Sequence, residues 1–277
     1  MEKVKVMVFD LDGTLYEDTH HFDYYANKLC EKLGIEKQEL FKKDYEAILT
    51  GEHALKMGTV FDADHDLILT HENGQVLQAH TWDGEPLSKH EVGKLYPKEL
   101  QFNFHSMLSI GDLWWVPAAI ARHYGIDNES AGLSFLETRQ YMMTPEFQMK
   151  VVPGFKEILQ RLSNSKKLVL LTNSPKRDSE VLLKKLGFDN LFDMLIFDGK
   201  KPLQTRDHLT GIKENYQVEY HEILCVGDNM MNEIFPAKQL GCQTILIDPH
   251  NISREVGADH IVPRLSMLVD TLITFEQ

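Results

Sequence analysis

The chain has 277 residues, enough for one large domain or for a core with a smaller second domain. It is 43% hydrophobic and 26% charged, as globular proteins are, and its formal net charge of −13 argues against nucleic acid as a general partner. No apolar run approaches the roughly 18 residues of a membrane span, the apolar N-terminal stretch is too short for a secretory signal, and Cys30, Cys225 and Cys242 lack disulfide or zinc spacing; the expectation is a cytoplasmic protein with buried thiols and no membrane partner.

Residues 3–9 (KVKVMVF) read as a short buried strand. Beyond it, Phe22, Tyr25, Ala26, Leu29 and Leu33 share one helical face that Gly34 should end. The stretch 59–80 alternates apolar and polar residues around an Asn73–Gly74 turn signal, which predicts a hairpin. Residues 107–124 and 129–142 carry helical spacing, although Pro117 stands in the first of them. From residue 154 a regular rhythm begins. Helical patterns at 154–163 and 178–187 alternate with strand patterns at 167–172, 194–197, 222–226 and 243–247. Such alternation predicts a parallel sheet covered on both faces. The fold class is therefore α/β: a Rossmann-like parallel-sheet core, residues 1–16 and 150–277, interrupted by a mainly helical cap with a small β insert, residues 17–149.

In an open α/β sheet, ligands bind beyond the carboxyl ends of the strands. Asp10 and Asp12 stand there in "KVMVFDLDGTLY", Thr172 and Asn173 in "LLTNS", and Asp228 in "VGDNMMNEI", while Lys201 precedes Pro202 in the loop after the 194–197 strand. These residue types suit phosphoryl transfer. A carboxylate such as Asp10 can attack phosphorus and form an acyl-phosphate. A Mg2+ ion on hard oxygen ligands such as Asp10 and Asp228 would shield the repulsion between nucleophile and substrate. Thr172 and Lys201 can donate to phosphoryl oxygens, and Asp12 can give a proton to the leaving alkoxide and later take one from water. The bland alternatives are turn and cap roles: Thr172 as a helix N-cap, and Glu233 as a carboxylate near a helix start.

"FDLDGTLY", "LLTNS", "KP" and "VGDNMMNEI", in this order, resemble the four motifs of the haloacid dehalogenase-like (HAD) hydrolase superfamily. The resemblance covers residues 1–16 and 150–260. It implies that Asp10 is the nucleophile and Asp12 the general acid and base. It further implies that Thr172, Asn173 and Lys201 hold phosphate, and that Asp10, the Asp12 backbone carbonyl and Asp228 bind Mg2+. Glu233 replaces the aspartate that many members carry in the fourth motif, which leaves it a role beside the metal. Lys200–Lys201 offers two lysines, of which the one next to proline matches. The expectation is a Mg2+-dependent phosphatase acting on a small phosphomonoester. A nucleoside monophosphate comes first, by likeness to the nucleotidase branch; Tyr16, Phe22 and Trp114–Trp115 could offer π-faces to a base, although helix packing is the favoured reading of the tryptophan pair. The alternatives are a phosphomutase or sugar phosphatase of the same superfamily, or a non-catalytic binding protein. His20, His21, His65, His71 and His80 lack ligand spacing and read as surface or locally bonded side chains.

Overall fold

A computed structural model describes residues 4–17, 20–72, 74–103, 105–249 and 257–276. The chain forms two compact units, Met1–Thr19 with Met142–Gln277, and His20–Tyr141. The first strand, β1 (Val6–Phe9), is buried at all four positions; Lys3 of the expected strand lies outside the described residues.

The second unit follows. Its helices α1 (His20–Cys30) and α2 (Ile35–Thr50) precede β2 (Val60–Asp62), β3 (Leu67–Glu72) and β4 (Gln75–Thr81). Then come α3 (Lys89–Leu95), β5 (Met107–Ser109), α4 (Trp115–His123) and α5 (Asn128–Met143). The strands make an antiparallel sheet in the order β4–β3–β2–β5. One cluster joins Phe61 and Ile68 to Phe22, Leu29, Phe41 and Ile120, and a second joins Val60 and Leu69 to Val92 and Leu100. Alternate strand residues thus feed cores on opposite faces.

Three local expectations change here. The 107–124 pattern is two elements: Met107–Ser109 pairs with β2, and the helix starts only at Trp115. Pro117 lies in the first turn of α4, where its missing N–H costs no intrahelical bond. Gly34 caps the start of α2 instead of ending α1. The hairpin between β3 and β4 is present, with Gly74 at φ +86°; Asn73 lies outside the described residues.

Back in the first unit, α6 (Phe155–Leu162), β6 (Lys167–Leu171), α7 (Lys176–Leu186), β7 (Met194–Ile196), α8 (Thr205–Tyr216) and β8 (Ile223–Gly227) alternate as the pattern predicts. A single π turn, Met230–Ile234, leads into α9 (Phe235–Leu240), followed by β9 (Gln243–Ile247), β10 (His260–Val262) and α10 (Leu265–Ile273). The helices form for ordinary reasons. In α6, Phe155, Ile158, Leu159 and Leu162 make one buried stripe, and α7 stops at Gly187, whose left-handed φ of 72° its lack of Cβ permits. The six strands run parallel in the order β10–β9–β8–β1–β6–β7. Val6, Val8, Val169 and Cys225 cluster with Leu209 and Ile212 of α8 on one face. Met7, Phe9, Leu168 and Leu170 alternate with them and are equally buried. All three cysteines are free and buried, and no helix among the described residues is long and apolar enough to cross a membrane.

Leu170 and Leu195 are register partners on β6 and β7, yet Leu170 is 0% exposed and Leu195 40% exposed at the sheet edge. Leu170→Ala should therefore cost about 2–5 kcal/mol through the cavity it leaves, and Leu195→Ala under about 1 kcal/mol. Urea unfolding with amide exchange in β6 as the probe checks this; equal losses at the two positions would contradict the sheet order.

Candidate active site

β1 lies between β6 and β8, with Phe9 opposite both Leu170 and Val226. Neighbouring strands are about 4.8 Å apart, so Asp10, Thr172 and Asp228 emerge side by side. The chain also turns in opposite directions here. From β1 it runs outward through β6 and β7 on one side, and through β8, β9 and β10 on the other. Such a switch point opens a crevice at the strand ends.

Lys201 reaches this crevice from the loop after β7. Four hydrogen bonds, two between backbones and two made by the Asn173 side-chain amide, hold that loop against the one after β6. Asp198 N–H donates to Ser174 O (3.2 Å), Gly199 N–H donates to Thr172 O (2.9 Å), and the Asn173 amide pairs with Lys201, accepting from its N–H (2.6 Å) and donating to its carbonyl (3.0 Å). The two lysines part company here: Lys200 is exposed, whereas Lys201 is 1% exposed and donates to Asp10 Oδ1 at 2.7 Å and to Glu233 Oε1 at 2.5 Å. Burial works against the Lys201 charge, but the Asp10 and Glu233 carboxylates outweigh it and hold the ammonium above its ordinary pKa. Burial pushes the Asp10 carboxyl up from its usual value, and Lys201 opposes that rise without cancelling it.

Asp10, Asp228 and Glu233 each bring a carboxylate oxygen within 4.8 Å of the others. One ammonium faces three carboxylates in a largely buried place. This is a deficit of positive charge, and hard oxygen donors are the right type to meet it with a cation such as Mg2+. The close approach of Asp228 depends on Gly13. A Cβ there would stand 2.0 Å from Asp228 Oδ2, and the residue has φ +74°. Gly227 does the same for Glu233, since its Cβ would come 2.7 Å from Glu233 Cγ. Both Glu233 oxygens already accept hydrogen bonds, Oε1 from Lys201 and Oε2 from the Asn229 N–H (3.0 Å).

Asp12 is held apart from that cluster. Tyr16 Oη donates to its Oδ1 at 2.6 Å, and Ser174 Oγ donates to its Oδ2 at 2.5 Å. Thr172 is buried and its Oγ1 accepts the Ser174 N–H at 3.0 Å; the N-cap of α7 is Pro175, so Thr172 does not cap that helix. All the site residues expected from the motifs thus belong to one cluster of loops at one end of the sheet.

Three supporting residues escaped the sequence reading: Gly13, Ser174 and Asn229. Asn229 Oδ1 accepts from Met231 and Asn232 N–H and so starts the π turn that carries Glu233. An Asn just before a helix start is a strong cap signal, so that role was there to be found. The favoured reading of the tryptophan pair, helix packing, is what the structure shows. Phe22 is 3% exposed inside the second unit, and Trp114 packs on Phe22, Tyr25 and Phe135 there. Trp115 packs against the same core, and Tyr16 is committed to Asp12. The histidines are locally engaged where bonds are seen, as with His65 on Asp62 at 2.8 Å.

No curated protein shows a significant match to the chain. Among solved structures, similar folds include YfnB of Bacillus subtilis in a magnesium-bound form, with TM-score 0.55 and 14% identity over 98% of this chain and 100% of that one. A phosphatase candidate from Clostridium difficile is also similar, with TM-score 0.53 and 16% identity over 98% of this chain and 100% of that one. The family model of haloacid dehalogenase-like hydrolases matches residues 4–241, a span holding every site residue described above, and the chain belongs to that family.

Proposed function

We propose that the protein is a Mg2+-dependent phosphatase that hydrolyses a small phosphomonoester through an aspartyl-phosphate on Asp10. The observation that carries this reading is the half-buried Asp10 carboxylate, gripped by Lys201 and crowded by Asp228 and Glu233, with a second carboxylate on Asp12 held by its own hydroxyl donors. A nucleophile, a charge deficit suited to a divalent cation and a proton carrier are then present together. The magnesium in the similar B. subtilis structure and the phosphatase description of the C. difficile one agree with it.

In this reading Asp10 attacks phosphorus and the bond to the leaving oxygen breaks. Asp12 delivers a proton to that oxygen, then takes one from the water that hydrolyses the acyl-phosphate. Lys201 and the Thr172 hydroxyl donate to the phosphoryl oxygens as charge spreads over them. Asn173 serves by holding the Lys201 loop. Asp10, Asp228 and the Asp12 carbonyl would hold Mg2+, which neutralises phosphoryl charge when bound. Glu233 belongs beside it, because its oxygens already anchor Lys201 and the Asn229 N–H.

The unit His20–Tyr141 enters the chain shortly after the nucleophile strand, and we assign it the selection of the leaving group. The likeness of the motifs to the nucleotidase branch makes nucleoside monophosphates the first substrate class. A reducing, cytoplasmic setting suits the three free thiols.

Asp10→Asn should abolish turnover of p-nitrophenyl phosphate with no change in the far-UV circular dichroism spectrum, since an amide cannot form the acyl-phosphate; substantial activity in that folded variant would sink the mechanism. Exhaustive chelation should silence the enzyme and added Mg2+ should restore it; turnover that survives chelation removes the metal from the proposal. A kinetic comparison addresses the substrate. Nucleoside monophosphates should exceed sugar phosphates in kcat/KM by about tenfold, or about 1.4 kcal/mol of transition-state binding. The reverse order would replace the substrate class and leave the core chemistry intact.

A further inference from the structure

We propose that Tyr16 is a positioning residue that, together with Ser174, fixes the Asp12 carboxylate for proton transfer, and that Phe147 buttresses it. This rests on the phosphatase reading above and gives Tyr16 and Ser174, which close the first two motifs, a role toward Asp12 that the motif resemblance does not assign. Each Asp12 oxygen has its own hydroxyl donor, Tyr16 on Oδ1 at 2.6 Å and Ser174 on Oδ2 at 2.5 Å. Rotation of the carboxylate about its side-chain torsions breaks at least one of these bonds. The two donors come from different loops, those after β1 and after β6, so they hold the group from two directions.

Tyr16 can do this because its own ring is fixed. It is 1% exposed and meets the Phe147 ring edge-on, with centroids 6.3 Å apart at 84°. Phe147 lies in the segment by which the chain returns to the first unit. Lys185 of α7 holds that segment, donating to the carbonyls of Met142 (3.1 Å), Thr144 (2.6 Å) and Phe147 (3.4 Å) and standing 5.8 Å from the centre of the Phe147 ring. A continuous series of contacts thus runs from α7 through Phe147 and Tyr16 to Asp12. A phenylalanine at position 16 would keep the ring packing and lose the bond to Asp12.

The test uses the whole chain with Mg2+ and two probes that differ in their need for a proton. Glycerol 2-phosphate releases an alkoxide and p-nitrophenyl phosphate a stable phenolate. Tyr16→Phe should lower kcat/KM on glycerol 2-phosphate by about tenfold and on p-nitrophenyl phosphate by less than about twofold, a share of the 10²–10⁴-fold typical of general acid catalysis. The competitive inhibition constant of inorganic phosphate, which reads the Lys201 side of the site, should stay unchanged. Ser174→Ala should give the same split, and it provides the test independently if Tyr16→Phe fails to fold. Phe147→Leu should give a weaker split of the same sign. An equal loss on both probes, or a weakened phosphate inhibition constant, would assign Tyr16 to general structure and overturn the proposal. Hydrolysis of neither probe by the wild-type chain would overturn the phosphatase reading itself, and this assignment with it.

Discussion

The buried ammonium of Lys201 is the constraint around which the core is arranged. Removing a charge from water costs several kcal/mol even after relaxation, and leaving it without a partner in a protein interior costs about 3–5 kcal/mol. At 1% exposure Lys201 meets that demand with two carboxylates, Asp10 and Glu233. Each carboxylate then needs its own place. Asp10 is set by the central strand, and Glu233 by a π turn that Asn229 starts. Gly13 and Gly227 remove the side chains that would collide with Asp228 and Glu233. Much of the local backbone peculiarity at this end of the sheet therefore has an electrostatic origin.

The arrangement is unbalanced by design of its residue types. Lys201 offsets one carboxylate, while Asp10, Asp228 and Glu233 converge. As a stability device this would be poor, since well-packed apolar residues of similar volume commonly do as well or better than buried ion groups. As a binding device it is coherent. Excess negative charge favours a cation, and the cation with Lys201 then favours a phosphoryl group that the acids alone would repel. In the proposed reading, the same group of charges that costs folding free energy supplies affinity for the cation and the phosphoryl group.

How much of this was legible in the sequence depends on the length scale of the signal. Five of the six core strands were readable as short apolar runs, β10 was not, and helices such as α6 carry their own stripe in Phe155, Ile158, Leu159 and Leu162. The convergence of Asp10, Thr172, Lys201 and Asp228 was readable because strand ends in such sheets share one edge. The second unit was harder. Met107–Ser109 forms a strand because β2 offers it an edge, a long-range partner that no local periodicity reveals. The aromatic residues were easier: Phe22 shares a helical face with Tyr25 and Leu29, helix packing is the favoured reading of Trp114–Trp115, and Phe22 is core with both tryptophans packed against it. The Tyr16 bond to Asp12 spans four residues, yet it depends on a turn in which Leu15 N–H returns to Leu11 O, and that geometry has no compositional mark beyond Gly13.

That turn also explains why a large insertion is compatible with a fixed Asp12 carboxylate. The chain leaves the first unit just after Tyr16 and returns through residues 142–150, and the two segments are tied where Glu17 N–H meets Lys150 O at 3.4 Å. Phe147 and Tyr16 pack together beside this tie, with Lys185 binding three carbonyls of the returning segment. An irregular segment leaves its carbonyls to be satisfied from elsewhere, and a single lysine satisfies three of them at little backbone cost. The crossing point is thereby stiffened on the core side. Asp10 is anchored separately, by strand pairing and by Lys201. The fold thus separates two tasks. Asp10 takes its position from the sheet, and Asp12 takes its position from the place where the inserted unit joins.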